Sequence, residues 1–321
     1  MASPTLGKEN NMCTAINDIS ARHLFGRTLD LDRSYGQQIV ISPRRLSLSF
    51  IHEGKSSDHY AVIGAAHLEG NYPLYFDAMN EKGLCAAALR FPELACYHEK
   101  STAKHNVASF ELISWILFNY ADAEEAKTAL QNANITSDGF SEALPPTPLH
   151  WLVGDSKQTF VIESCADRLN IYDDPFGVLT NAPDFPSQLQ SSGDQKSSED
   201  DNSSRLPGDM SSRSRFIRAS RALSLTERTD GKSEAISRFF HIMGTVNQPL
   251  GFESARSLGI SSSAPIKTLY TSCIDSDSLT YYFTTYSCRK IRGVRLKNAY
   301  LDMDTPTAFD MEREEWFHFL N

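Results

Sequence analysis

A cysteine at position 13 heads an apolar, strand-like run, Met12-Cys13-Thr14-Ala15-Ile16. The run Phe25-Gly26-Arg27-Thr28-Leu29-Asp30 follows within one strand-turn-strand length. If the chain starts at Cys13, through initiation at Met12 or removal of residues 1–12, one residue carries both a thiol nucleophile and an α-amine. A free α-amine has a reference pKa of about 7.7–8.0, so it can act as general base near neutral pH without a histidine. Arg27 and Asp30 then supply a cation that favours the thiolate and a carboxylate that orients the amine. The same residues also read as a buried strand cysteine and a surface ion pair.

Other chemistries lack their residues. The sequence contains no G-x-S-x-G, no H-E-x-x-H and no G-x-x-x-x-G-K-[ST], and its nine histidines are dispersed. Its six cysteines, at 13, 85, 96, 165, 273 and 288, form no C-x-x-C, so neither a zinc site nor a disulfide framework is expected. Five of them read as small core hydrophobes. No metal or cofactor is expected. A net charge of −9 with no lysine- or arginine-rich run disfavours a nucleic-acid surface. No run approaches the eighteen apolar residues of a membrane helix, and residues 1–12 lack the apolar stretch of a secretory signal. The expectation is a cytoplasmic protein acting on a small molecule, without nucleic-acid or membrane partners.

The elements that must hold Cys13, Arg27 and Asp30 follow from the hydrophobic pattern. With 40% hydrophobic and 22% charged residues, the 321-residue chain can bury a core. Short apolar or alternating runs predict strands at 13–16, 23–29, 38–41, 46–51, 60–65, 74–79 and 84–91. The period becomes helical over 109–132, where Phe110, Ile113, Leu117 and Tyr120 share a stripe and Asp122 breaks it. Strands return at 149–153, 159–163 and 178–179, helices at 212–226 and 233–243, and strands at 268–273 and 279–286. Strands and helices grouped in blocks predict α+β layering. Residues 187–205 are polar throughout and read as an exposed, mobile loop that does not divide the chain into domains.

Several separated motifs identify a resemblance. Besides the two runs above they are Pro73-Leu74-Tyr75-Phe76-Asp77-Ala78-Met79-Asn80-Glu81-Lys82-Gly83-Leu84, Pro148-Leu149-His150-Trp151-Leu152, Gly177-Val178-Leu179-Thr180-Asn181-Ala182-Pro183, and Leu206-Pro207-Gly208-Asp209-Met210-Ser211-Ser212 leading to Ser214-Arg215-Phe216. In this order they resemble the choloylglycine hydrolase and penicillin V acylase family of N-terminal-nucleophile cysteine hydrolases, and within it the bile salt hydrolases. The resemblance implies a four-layer αββα sandwich, two stacked antiparallel sheets flanked by helices. It implies one catalytic domain over residues 13–321, with residues 1–12 a leader absent or removed in the active form.

By the same resemblance, Cys13 matches the nucleophile, and Arg27 and Asp30 match the residues that stabilise the thiolate and hold the amine. Asn181 matches the asparagine whose amide enters the oxyanion hole, and Arg215 an arginine close to the nucleophile. Asn80 reads as a turn residue that holds the fold. Arg90 departs from the pattern, standing where bile salt hydrolases have asparagine and many penicillin V acylases tyrosine. Its backbone N–H still serves an oxyanion hole, while its side chain puts substrate choice in question. The polar loop is shorter than the excursion that clasps neighbouring subunits in tetrameric relatives, which implies a homo-oligomer weaker than, or different from, that tetramer.

The implied activity is hydrolysis of linear amides, with glycine- or taurine-conjugated bile salts as substrates. The alternatives are a penicillin V or N-acyl-homoserine lactone acylase and, in another class, a non-catalytic binder of amphipathic ligands with a blocked N-terminus.

Overall fold

The structure, a computed structural model, describes residues 12–193, 206–229, 231–252 and 265–312. The first half runs β1 (Met12–Asp18), β2 (Leu24–Leu31), β3 (Gln38–Ser42), β4 (Leu48–Phe50), β5 (Gly54–Ser56), β6 (Val62–Glu69), β7 (Tyr72–Asn80), β8 (Cys85–Arg90), β9 (His105–Ala108), α1 (Leu112–Asn119), α2 (Ala123–Leu130) and β10 (Ala133–Thr136). The second runs β11 (Leu149–Gly154), β12 (Thr159–Ser164), β13 (Leu169–Asp173), β14 (Val178–Leu179), α3 (Phe185–Gly193), α4 (Ser212–Leu225), α5 (Lys232–Gly244), β15 (Lys267–Asp275), β16 (Thr280–Thr285), β17 (Arg292–Arg295), α6 (Asn298–Leu301) and β18 (Thr307–Asp310).

Among the described residues two large antiparallel sheets form. One has the order β14-β1-β2-β15-β16-β17, the other β13-β12-β11-β8-β7-β6-β3-β18. Alternation explains why the second sheet lies inside the molecule. Ile39, Ile41, Ile63, Ala65, Cys85, Ala87, Leu89, Leu152 and Val161 join the core between the sheets. Their strand neighbours Val40, Val62, Ala86, Trp151, Val153, Phe160 and Ile162 join a separate core with α1 and α2. Period-two patterning with both faces apolar forces cover on both sides. Helices α4 and α5 cover the other face of the first sheet, against β1, β2, β14 and β15. The result is the αββα sandwich.

Local chemistry sets several boundaries. Asp122 separates α1 from α2 by capping the second helix, its carboxylate accepting from Glu125 N–H at 3.0 Å. Asn80 is buried at the end of β7, and its amide donates to the carbonyls of Leu117 (2.9 Å) and Tyr120 (2.8 Å). Its Oδ1 accepts from Lys82 N–H (3.0 Å) and Leu84 N–H (3.1 Å), so one side chain closes the turn and ties it to the end of α1. Gly26 gives the Phe-Gly-Arg motif its reason: a Cβ there would lie 2.2 Å from the Ser272 carbonyl oxygen on the paired strand β15.

Two parts depart from the sequence reading. Phe185–Gly193 is helical, so the start of the polar segment is α3 and not loop; residues 194–205 lie outside the described residues. Its serines, Pro186 and Gly193 are poor helix formers, and tertiary anchoring decides instead: Phe185 is fully buried and Leu189 packs on the core. Near the C-terminus, β18 pairs with β3 and extends the second sheet. All six cysteines are free, and Cys96 and Cys165 are only partly buried, so the core reading holds for fewer of them than expected.

Candidate active site

Cys13 lies in β1 opposite Leu29 of β2, and Ala15 opposite Arg27. This register delivers to one place the residues that the sequence separates. The backbone N–H of Cys13 donates to Asn181 Oδ1 at 2.7 Å. Arg215, on α4, donates from Nη2 to the same oxygen (2.9 Å), from Nη1 to Thr14 Oγ1 (2.8 Å) and to the Cys13 carbonyl, and from Nε to the Met210 carbonyl (3.0 Å). With two donors on its oxygen, the Asn181 amide has a fixed orientation, and its Nδ2 donates to the Arg90 carbonyl at 2.8 Å. Cys13, Arg27, Asp30, Asn181 and Arg215 are all buried.

Arg27 and Asp30 reach the cysteine from two directions, as side chains three apart on a strand must. The β7–β8 ladder ends at the pair Asp77 and Ala87. Just beyond it, Arg27 Nη1 donates to the carbonyls of Phe76 (3.0 Å) and Ala88, which strand pairing would otherwise use. Its Nε donates to the Thr28 carbonyl at 3.1 Å. The guanidinium therefore joins the two sheets beside Cys13. Asp30 instead accepts from Thr28 Oγ1 (3.1 Å) and Thr268 Oγ1 (2.7 Å). Both residues are buried, which removes the surface ion-pair reading.

The electrostatics follow from this enclosure. Burial pushes the Cys13 thiol up; the Arg27 charge opposes it, the Asp30 charge adds to it, and the Asp30 N–H and Arg215 lower it. Arg27 thus acts in the expected direction but burial outweighs it. Burial also raises the Asp30 carboxyl to about 6 against the pull of Arg215, Thr268, Thr28 and Arg27.

Sequence reasoning missed a second polar layer beneath Arg27. Asp77, fully buried, accepts from Tyr270 Oη (2.5 Å), Tyr281 Oη (2.7 Å) and Ser272 Oγ (2.8 Å), and Ser272 Oγ in turn accepts from Arg27 N–H at 2.9 Å. The signal was an acid inside the strand Leu74-Tyr75-Phe76-Asp77-Ala78-Met79, where an unpartnered carboxylate would be costly.

Arg90 pairs with Leu149 at the end of β8, where Phe91 N–H donates to the Pro148 carbonyl. Antiparallel alternation then turns the Arg90 N–H and carbonyl to the opposite edge, the edge on which Asn181 and Arg27 bind carbonyls. The Arg90 charge is felt at Tyr97, whose hydroxyl it favours ionising against a stronger effect of burial. Among the described residues no His, Cys, Asp and Glu side chains converge as a metal-binding group, and no helix is long and apolar enough to cross a membrane.

The chain is similar to known proteins over nearly its whole length. It is 39% identical to the bile salt hydrolase/transferase of Lactiplantibacillus plantarum, over 97% of this chain and 100% of that one. A crystal structure of conjugated bile acid hydrolase from Clostridium perfringens superposes with a TM-score of 0.85 at 29% identity, covering 97% of this chain and 100% of that one. Penicillin V acylase from Agrobacterium tumefaciens shares the fold, with a TM-score of 0.77 at 21% identity over 93% of this chain and 91% of that one. Residues 13–309 match the family of linear amide C–N hydrolases described as the choloylglycine hydrolase family. The chain belongs to that family and is a hydrolase of carbon–nitrogen bonds in linear amides.

Proposed function

We propose that the active chain begins at Cys13, and that its thiol cleaves glycine- or taurine-conjugated bile salts to free bile acid and amino acid. The observation that carries the reading is the nitrogen of Cys13, 2.7 Å from Asn181 Oδ1 within a buried ring of Arg27, Asp30, Asn181 and Arg215. In the full chain that nitrogen is the amide following Met12; with residues 1–12 removed it is an α-amine. The thiol, raised by burial, then has a base within its own residue.

In the first step the sulfur bonds to the substrate carbonyl carbon while its proton passes to the α-amine. The Asn181 amide has a second hydrogen besides the one given to Arg90, and this hydrogen and the N–H of residue 90 receive the developing oxyanion. Any residue except proline supplies that N–H, so Arg90 is compatible with catalysis. When the C–N bond breaks, the α-amine gives the proton to the departing amine, leaving a thioester. Water then attacks the thioester, forming the carboxylic acid and restoring the thiol. Asp30, opposite Met12 in the β1–β2 register, holds the amine.

Support for the substrate comes from relatives named for bile salt hydrolysis. The test is amine release from glycocholate, taurocholate, penicillin V and an acyl-homoserine lactone, with Arg90→Asn beside the parent. Release of glycine or taurine, abolished in Cys13→Ala, is expected. Turnover of penicillin V alone would move the assignment to the acylase reading, and a chain that keeps residues 1–12 and cleaves nothing would leave it a binder.

A further inference from the structure

The backbone that carries Asn181 is held by a side chain of α3. Gln188, on α3, is 1% exposed. Its Oε1 accepts from Thr180 Oγ1 (2.9 Å) and Thr180 N–H (3.3 Å), and its Nε2 donates to the carbonyls of Asn181 (2.7 Å) and Pro183 (2.8 Å). Both hydrogens and the carbonyl oxygen of this amide are spent on three residues of one short segment, Thr180, Asn181 and Pro183. Ser212 Oγ adds a second donor to the Asn181 carbonyl at 2.9 Å. The far end of the loop is fixed where Phe185 N–H donates to the buried Glu163 Oε1 at 3.0 Å.

We infer that Gln188 is a positioning residue that sets where the Asn181 amide stands relative to Cys13 and the Arg90 carbonyl. The catalytic part of this inference rests on the reading of Asn181 as an oxyanion donor. The contacts of the Asn181 side chain to Cys13, Arg215 and Arg90 fix its orientation, but its Cα is placed by the backbone that Gln188 and Ser212 hold. An oxyanion donor loses its value with displacements of about 1 Å, which cost up to about 100-fold in rate. Substituting Gln188 should therefore lower kcat while leaving KM nearly unchanged, because Gln188 itself touches no substrate.

The test is a double-mutant cycle with Asn181, read as glycocholate turnover per alkylatable Cys13 thiol, together with crystal structures of the parent and Q188A. Q188A is expected to lower kcat about 10-fold, N181A by about 100-fold to 1000-fold, and the double variant no further than N181A alone. Q188E should lose activity at pH 7.5, where a carboxylate faces the two carbonyls, and regain part of it relative to the parent at the same pH once the acid is protonated and can donate to one of them. In the Q188A crystal the distance from Asn181 Nδ2 to the Arg90 carbonyl should lengthen from 2.8 Å.

Multiplicative losses in the double variant, parent kcat in Q188A, or an unmoved Asn181 in the crystal would each overturn the inference. Parent kcat in N181A would overturn the oxyanion reading and the catalytic part with it, whereas the crystal distance tests positioning independently of that reading.

Discussion

Arg215→Met removes the group that ties β1, the Asn181 loop and α4 together, while keeping an unbranched side chain in a fully buried place. Four acceptors lose a donor: the carbonyls of Met210 and Cys13, Thr14 Oγ1 and Asn181 Oδ1. The threonine hydroxyl can rotate, and Asn181 Oδ1 keeps the Cys13 N–H. Two carbonyls remain, each costing about 1–3 kcal/mol when buried without a partner. Methionine offsets part of this by removing a desolvated cation. Asp30 also loses its largest favourable charge, so its carboxyl moves further up.

The net expectation for Arg215→Met is a loss of about 2–4 kcal/mol, a substantial share of the 5–15 kcal/mol typical of a folded domain. It should appear as a lower urea midpoint with an unchanged m-value. Turnover per intact thiol should fall about 10-fold or more, because Asn181 Oδ1 keeps only one of its two donors. Arg215→Lys should fall between, since an ammonium lacks the planar fork that reaches separated acceptors. A methionine variant with the parent's midpoint and turnover would refute the view that Arg215 organises the site.

Asn80→Ala removes four hydrogen bonds far from the thiol and should cost about 2–4 kcal/mol by urea denaturation, with kcat/KM per folded molecule unchanged; a selective loss of kcat would instead place Asn80 in the chemistry. Asp30 and His23 should bend stability with pH in opposite directions. Asp30, raised to about 6 by burial, binds more protons folded than unfolded between about pH 4 and 6, so its contribution to stability declines as pH rises through that window. His23, lowered to about 4 by burial and bonded to Asn17 and Ser276, binds fewer protons when folded below about pH 6.5, so its contribution grows with pH. Asp30→Asn should steepen the rise of stability between pH 4 and 6, and His23→Gln should flatten it, each by at most about 1.4 kcal/mol per pH unit. Urea midpoints at pH 4, 5 and 6.5 measure both slopes, and unchanged slopes would remove these groups from the account.

The sequence carried the parts of the fold that local rules govern. Alternating residues at 38–41, 60–65 and 84–91 became strands, and Asp122 divided two helices as an acidic cap should. The helix beginning at Phe185 was hidden because its serines, Pro186 and Gly193 favour loops and its anchor, Phe185, meets partners distant in the chain, Glu163 and Phe216. The site was legible as types and order: Cys13, Arg27, Asp30, Asn181 and Arg215 do converge. Their pairing was not. Asn181 accepts from the Cys13 nitrogen, Arg27 binds carbonyls of the opposite sheet, and Asp77 sits behind it, all consequences of how two sheets stack. Burial, which outweighs Arg27 at the thiol, is likewise a property of the packed molecule and not of any motif.

The central claim is that a chain beginning at Cys13 forms an acyl bond through that residue. Mass spectrometry of the purified enzyme, acid-quenched within one turnover on glycocholate and digested, tests it most directly. The expected product is an N-terminal peptide that starts at Cys13 and carries one cholyl group, lost on hydroxylamine treatment. Turnover by a chain whose Cys13 peptide still contains Met12 and the preceding residues, with no acyl group on the sulfur, would contradict it.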